Sequence, residues 1–151
     1  MKRISTVIYV LLIVVTLGCG KNRVDTPVAV ATKFPEPTWK IDDTGKYPAT
    51  MTAVFKLPVT FVSSALESDK LAAFINDECR GVGVIVKVNN LNLFFVLIQG
   101  LPEETNKITI RYYSSKTSYM YESQSALTFS ADAIYGTAEN PKTLELTQLK
   151  Y

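Results

Sequence analysis

The chain has 151 residues, with 16 Lys and Arg against 14 Asp and Glu, two cysteines and no histidine. The missing histidine excludes Ser-His-Asp and Cys-His catalysis and every His-ligated metal site. A net charge of +2 without a basic cluster also gives no support for nucleic-acid binding, which needs a concentrated basic face.

Lys2 and Arg3 precede the apolar run from Val7 to Val15, and Thr16-Leu17-Gly18-Cys19 follows. The run is too short for a permanent membrane span, so residues 1–18 read as a signal peptide. A small residue just before a cysteine at the end of such a run resembles the lipobox of bacterial lipoproteins, with Thr16 where that family usually has leucine. The resemblance implies lipidation of Cys19, which then becomes the mature N-terminus. Gly20 lacks the acidic character that resembles an inner-membrane retention signal, so the expected address is the outer membrane, facing either the periplasm or the cell surface. Loss of Lys2 and Arg3 leaves 14 basic side chains, equal to the acids. Cys79 is left without an intramolecular disulfide partner.

Residues 19–38 carry Pro27, Pro35 and Pro37 without an apolar period and read as an extended tether. Residues 39–151 form one domain of ordinary size. Its first strand runs from Thr50 to Leu57, with Met51, Ala53, Phe55 and Leu57 on the buried face and Pro58 as its stop. A polar loop follows, then a short strand from Leu71 to Ile75. Asn76-Asp77 turns the chain into the strand that contains Cys79. Asn89-Asn90 makes a second two-residue turn, which pairs Val88 with Leu91 and places Val82, Val84, Val86, Leu91, Leu93, Phe95 and Leu97 on one face, expected to be core. Further strands are expected over 107–113, 118–122, 126–130 and 143–147. Short antiparallel strands in this number, about seven to nine, predict an all-β fold, a single β-sandwich of immunoglobulin-like or jelly-roll-like type.

The succession of LAAFINDECRGVG, a long apolar strand ending in glycine, KITIRYYSSKTSYMYE and GTAENPKTLEL, over roughly residues 47–148, is similar to a domain of secreted and lipid-anchored Bacteroidetes-type proteins. Glu78-Cys79-Arg80-Gly81-Val82 is the most specific part of that pattern. The resemblance implies an extracytoplasmic β-sandwich module and carries no catalytic assignment to any position.

Within the domain, Cys79 reads as an inert structural residue on the side of Gly81 and Gly83. Arg80, at the end of an apolar strand, needs a carboxylate, with Asp77, Glu78 and Asp132 as candidates. Trp39 is expected to seal the bottom of the core. Arg111, Tyr113, Tyr119 and Tyr121 flank the turn at 114–118 and are the candidate ligand-binding residues, with Tyr113 pointing outward. No metal site, cofactor or enzymatic activity is implied. The sequence predicts a non-catalytic, lipid-anchored envelope protein serving binding, adhesion or envelope assembly, with a glycan or an envelope protein as partner. A carbohydrate-binding accessory using the tyrosines is the alternative.

Overall fold

The computed structural model describes residues 31–150. The expected signal peptide, Cys19 and the expected tether up to residue 30 lie outside the described residues. The elements are β1 (Ala49–Lys56), one helical turn α1 (Val59–Val62), β2 (Lys70–Ile75), β3 (Glu78–Val88), β4 (Leu91–Gly100), β5 (Lys107–Ser114), β6 (Tyr119–Ser123), β7 (Leu127–Thr128), β8 (Ile134–Tyr135), β9 (Lys142–Thr143) and β10 (Leu146–Gln148). The fold is all-β, as the alternating patterns predict.

The strands join along one pairing path, β10-β6-β5-β2-β3-β4-β1-β8, with β7 added to β5 and β9 added to β1. All these pairs are antiparallel except β8 and β9, which run parallel to β1. β3 connects the two arms of this curled sheet. Its first half pairs with β2, ending at Ala72 opposite Val82, and its second half pairs with β4 from Gly83 opposite Val96 to Val88 opposite Leu91. The core lies between the arms: Met51, Ala53 and Phe55 of β1 and Phe94, Val96 and Ile98 of β4 pack with Leu71, Ala73 and Ile75 of β2 and Ile108, Ile110 and Tyr112 of β5. The small strands β8, absent from the sequence analysis, and β9, at the start of the strand expected over 143–147, supply the outer neighbours of β1.

Both two-residue turns form where expected. Asn76 and Asp77 have φ of 51° and 62°, and Asn89 and Asn90 have φ of 49° and 65°. This left-handed backbone is the one that Asn and Asp tolerate best among non-glycine residues, and consecutive positive φ values are the mark of the type I′ turn. Val88 pairs with Leu91 across the second turn, which fixes the hairpin register.

The face assignment of that hairpin is reversed. Phe94, Val96 and Ile98 are at most 1% exposed and belong to the core, whereas Val82, Val84, Val86, Leu91 and Leu97 are 40–63% exposed. Leu93, on the outer face, is nevertheless buried. The cause lies in β3, where Ala73 pairs with Gly81 but Phe74 pairs with Cys79. Arg80 is thus the extra residue of a β-bulge, which shifts the alternation by one. Gly81 and Gly83 therefore face the core and Cys79 faces away from it, contrary to the expectation that the three share a side. Gly81 is needed there: a Cβ would come within 2.6 Å of the Leu97 carbonyl oxygen.

The segment before β1 has no helix or strand from residue 31 to 48, yet from Phe34 it is fastened to the sheet. The Phe34 amide donates to the Ser118 carbonyl at 2.8 Å. Lys70 donates to the Pro37 carbonyl at 3.1 Å and pairs with Glu36 at 2.7 Å. Trp39 meets Phe74 edge-on, with centroids 5.6 Å apart. Phe74 lies outside the core cluster, on the opposite face of β2 from Leu71, Ala73 and Ile75, so Trp39 covers the outer side of β2 instead of sealing the core.

Candidate functional site

Arg80 is 5% exposed and its charge is answered from three directions. Its two terminal nitrogens donate to Glu104 at 3.2 and 3.4 Å, and one of them also donates to the Gln99 carbonyl at 3.3 Å. Its Nε lies 3.4 Å from Glu78, an ion-pair distance without hydrogen-bond alignment. The guanidinium stacks on the Tyr47 ring at 3.3 Å from the centroid. Glu78 also accepts from the Tyr47 hydroxyl and from Lys46 at 3.1 Å. The Tyr47 hydrogen bond, with help from Lys46 and Arg80, holds the Glu78 carboxyl below its ordinary value against desolvation. Burial works against the charge of Glu104, but the Leu101 amide, Asn106 and Arg80 outweigh it and its carboxyl is also held low. Of the three candidate partners of Arg80, Glu78 is confirmed, Asp77 pairs with Arg111 instead, and Asp132 does not pair with it; the principal partner, Glu104, comes from the loop after β4. Every strong contact in this cluster is internal, and its product is a fixed bulge.

Cys79 is a free, half-buried thiol whose Sγ lies 3.8 Å from the Gly81 carbonyl. Burial pushes its pKa up, so the nucleophilic thiolate is disfavoured.

The tyrosines do not form one platform. Cross-strand neighbours share a face, and the register sets Tyr113 opposite Met120 but Tyr112 opposite Tyr121 and Ser114 opposite Tyr119. Tyr119 and Tyr121 therefore lie on the side of core residue Tyr112, and Tyr113 lies on the other. Tyr113 points away from the core, as expected, but is only 5% exposed. Tyr121 packs edge-on against Phe61 at 4.8 Å, and burial raises its pKa. Arg111 lies over the Phe74 ring at 4.5 Å, between Asp77 at 2.6 Å and Glu122 at 3.3 Å. Asp69 is likewise consumed internally, accepting from Tyr112, the Leu66 amide, and the amide and hydroxyl of Ser115.

What remains open to a partner is the outer face of the β3–β4 hairpin. Val84 lies opposite Phe95 and Val86 opposite Leu93; the exposed apolar side chains are those of β3 with Leu91 and Leu97 of β4, whereas Leu93 and Val54 of β1 on the same face are buried. Beyond Val82, β3 has β4 as its only neighbour among the described residues, and the other edge of residues 84–88 is unpaired. An exposed apolar face beside an open edge is the usual mark of an interaction surface. These valines were visible in the sequence, where they were expected to face the core.

A second opening lies at the end of the hairpin. A groove of about 320 Å³ runs between α1 and the turn at 89–90. Leu57, Val59, Val62, Ala65 and Leu91 line it, together with Lys56 and three uncharged polar residues. Leu57 belongs to the core cluster, so the floor of the groove is the core itself. Val59 and Val62 are 89% and 47% exposed despite lying on the same helical turn. Two exposed valines three residues apart directly after Pro58 were the only signal of this opening in the sequence.

No family model, curated protein or solved structure matches this chain.

Proposed function

We propose that this is a non-catalytic, lipid-anchored envelope protein that binds another envelope component through the outer face of the β3–β4 hairpin. The observation that carries the reading is the row Val82, Val84, Val86 and Leu97, 40–63% exposed and beside an unpaired strand edge. Burying such side chains yields about 25 cal/mol per Å² of apolar surface removed from water. A partner that also adds a strand along residues 84–88 gains main-chain hydrogen bonds and register. The anchor rests on the lipobox-like Leu17-Gly18-Cys19 behind a short apolar run, and the outer membrane is its proposed location. The similarity of Glu78-Cys79-Arg80-Gly81-Val82 to lipid-anchored Bacteroidetes-type domains agrees with this reading.

The test places a photo-crosslinking side chain at Val84 in the native envelope, with Lys116 on the exposed β5–β6 turn as control. A discrete adduct at Val84 that Leu97→Glu abolishes supports the reading. Equal labelling at both positions, or none at Val84, removes it. For the anchor, Cys19→Ala releases the protein from the membrane fraction, and unchanged fractionation refutes lipidation.

A further inference from the structure

We propose that the groove between α1 and the β3–β4 turn is a binding site for a straight-chain fatty carboxylate. This site borders the outer face of the hairpin, meeting it at Leu91, and does not depend on the function proposed for that face. Three observations point to this class of ligand.

The first is charge. Lys56 is the one charged residue of the lining, and no carboxylate shares the groove with it. Among the described residues Lys56 makes no ion pair and no side-chain hydrogen bond. A cation bordering an apolar groove attracts an anion whose remainder is apolar.

The second is backbone pairing. Lys56 pairs with Leu93 of β4 on one side and with Thr143 of β9 on the other, and its carbonyl accepts from the Leu144 amide at 3.0 Å. The strand that borders the groove therefore has no free edge there. A peptide lying in the groove leaves its own main-chain groups without partners on this strand, which is costly. An alkyl chain has no such groups.

The third is size. The volume of about 320 Å³ is at the low end for small-molecule sites. At the ~30 Å³ that a molecule the size of water occupies, it holds roughly ten chain atoms. One aliphatic chain fits, resting on Leu57 and Val62 with its carboxylate toward Lys56.

The test is titration calorimetry on the full chain carrying Cys19→Ala. The probes are dodecanoate, dodecyltrimethylammonium and dodecyl maltoside, each below its micellar concentration. Dodecanoate is expected to bind with a stoichiometry of one, about tenfold or more tighter than the cationic amphiphile of equal tail, because an ionic hydrogen bond at Lys56 replaces a repulsion. Carboxylates with fewer than about ten chain atoms, which no longer fill the groove, are expected to lose about fourfold in affinity per further methylene removed. Lys56→Gln lowers dodecanoate affinity about tenfold and leaves dodecyl maltoside unchanged. Val59→Glu, at a position already 89% exposed, also lowers dodecanoate affinity, by setting a like charge in the groove, without risk to the fold. Leu97→Glu, on the outer face, leaves dodecanoate binding intact. Equal affinity for the three amphiphiles overturns the proposal, since it shows nonspecific adsorption. So does indifference to Lys56→Gln, absence of any binding, or capture of an apolar octapeptide in preference to dodecanoate.

Discussion

Replacing Glu104 by Gln removes one charge and turns one of its two accepting oxygens into a donor. The side chain keeps its shape and can still accept from the Leu101 amide, now 3.0 Å away. Arg80, however, keeps its full charge at 5% exposure and loses its bidentate partner. Breaking a buried ion pair from one side costs about 3–5 kcal/mol. Glu78, 3.4 Å from Nε, and the Tyr47 ring remain to offset part of this, which sets the expected loss near 3 kcal/mol, at the bottom of that range. With a urea m-value of about 1.5 kcal/mol/M, the unfolding midpoint falls by about 2 M. A double-mutant cycle with Arg80→Met isolates the pair. In the Arg80→Met background there is no buried cation to strand, and Glu104→Gln costs at least about 1 kcal/mol less than in the wild type. A single-variant loss under about 1 kcal/mol, or equal costs in both backgrounds, refutes the reasoning that the bulge is held by this pair.

The same cluster makes stability depend on pH. Glu78 and Glu104 are both held below the ordinary carboxylate value of 4.5, so the unfolded chain binds more protons than the folded one as that value is approached from above. The stability they provide is complete above it and is lost as pH falls through their lower folded values. Urea midpoints taken from pH 7 to pH 3 show this decline, and the Glu104→Gln variant shows a shallower one; parallel curves exclude Glu104 as a source. At the second turn, Asn90 has φ of 65°, so Asn90→Ala costs about 1 kcal/mol while Asn90→Gly is neutral or stabilising. Thermal melts decide this, and an alanine variant that melts with the wild type shows that the turn does not hold that conformation.

The parts of the fold that depend on neighbouring residues were legible. Asn76-Asp77 and Asn89-Asn90 announce their turns because few other residues accept positive φ, and the turns fix the registers of two hairpins. Met51, Ala53, Phe55 and Leu57 alternate with less apolar residues, and all four are buried. The β3–β4 hairpin was harder because both of its faces are apolar, so alternation gives two faces without saying which is inside. The bulge at Arg80 then changes the phase, and no residue in the motif announces it. The partners Glu104 and Tyr47 lie 24 and 33 positions from Arg80, and contacts of that span come from the folded sheet and not from local pattern. For the tyrosines, the sequence showed which residues alternate. It did not show that Met120, and not Tyr119 or Tyr121, stands across from Tyr113.

The unpaired residue in β3 lets the strand carry one residue more than its partner while the pairs on either side stay as they are. Arg80 stands between Cys79, which pairs with Phe74, and Gly81, which pairs with Ala73. Losing Arg80 leaves Cys79 opposite Phe74 and Gly81 opposite Ala73, now in unbroken alternation, so the valines keep the outer face and Gly83 and Ile85 the inner one. Deleting Arg80 removes the buried guanidinium and its contacts but not the surface the molecule presents, whereas deleting a residue beyond the bulge exchanges the two faces from that point on. This short stretch works as a slack link in the strand: it takes up or gives up one residue while the outer face of the hairpin stays in place.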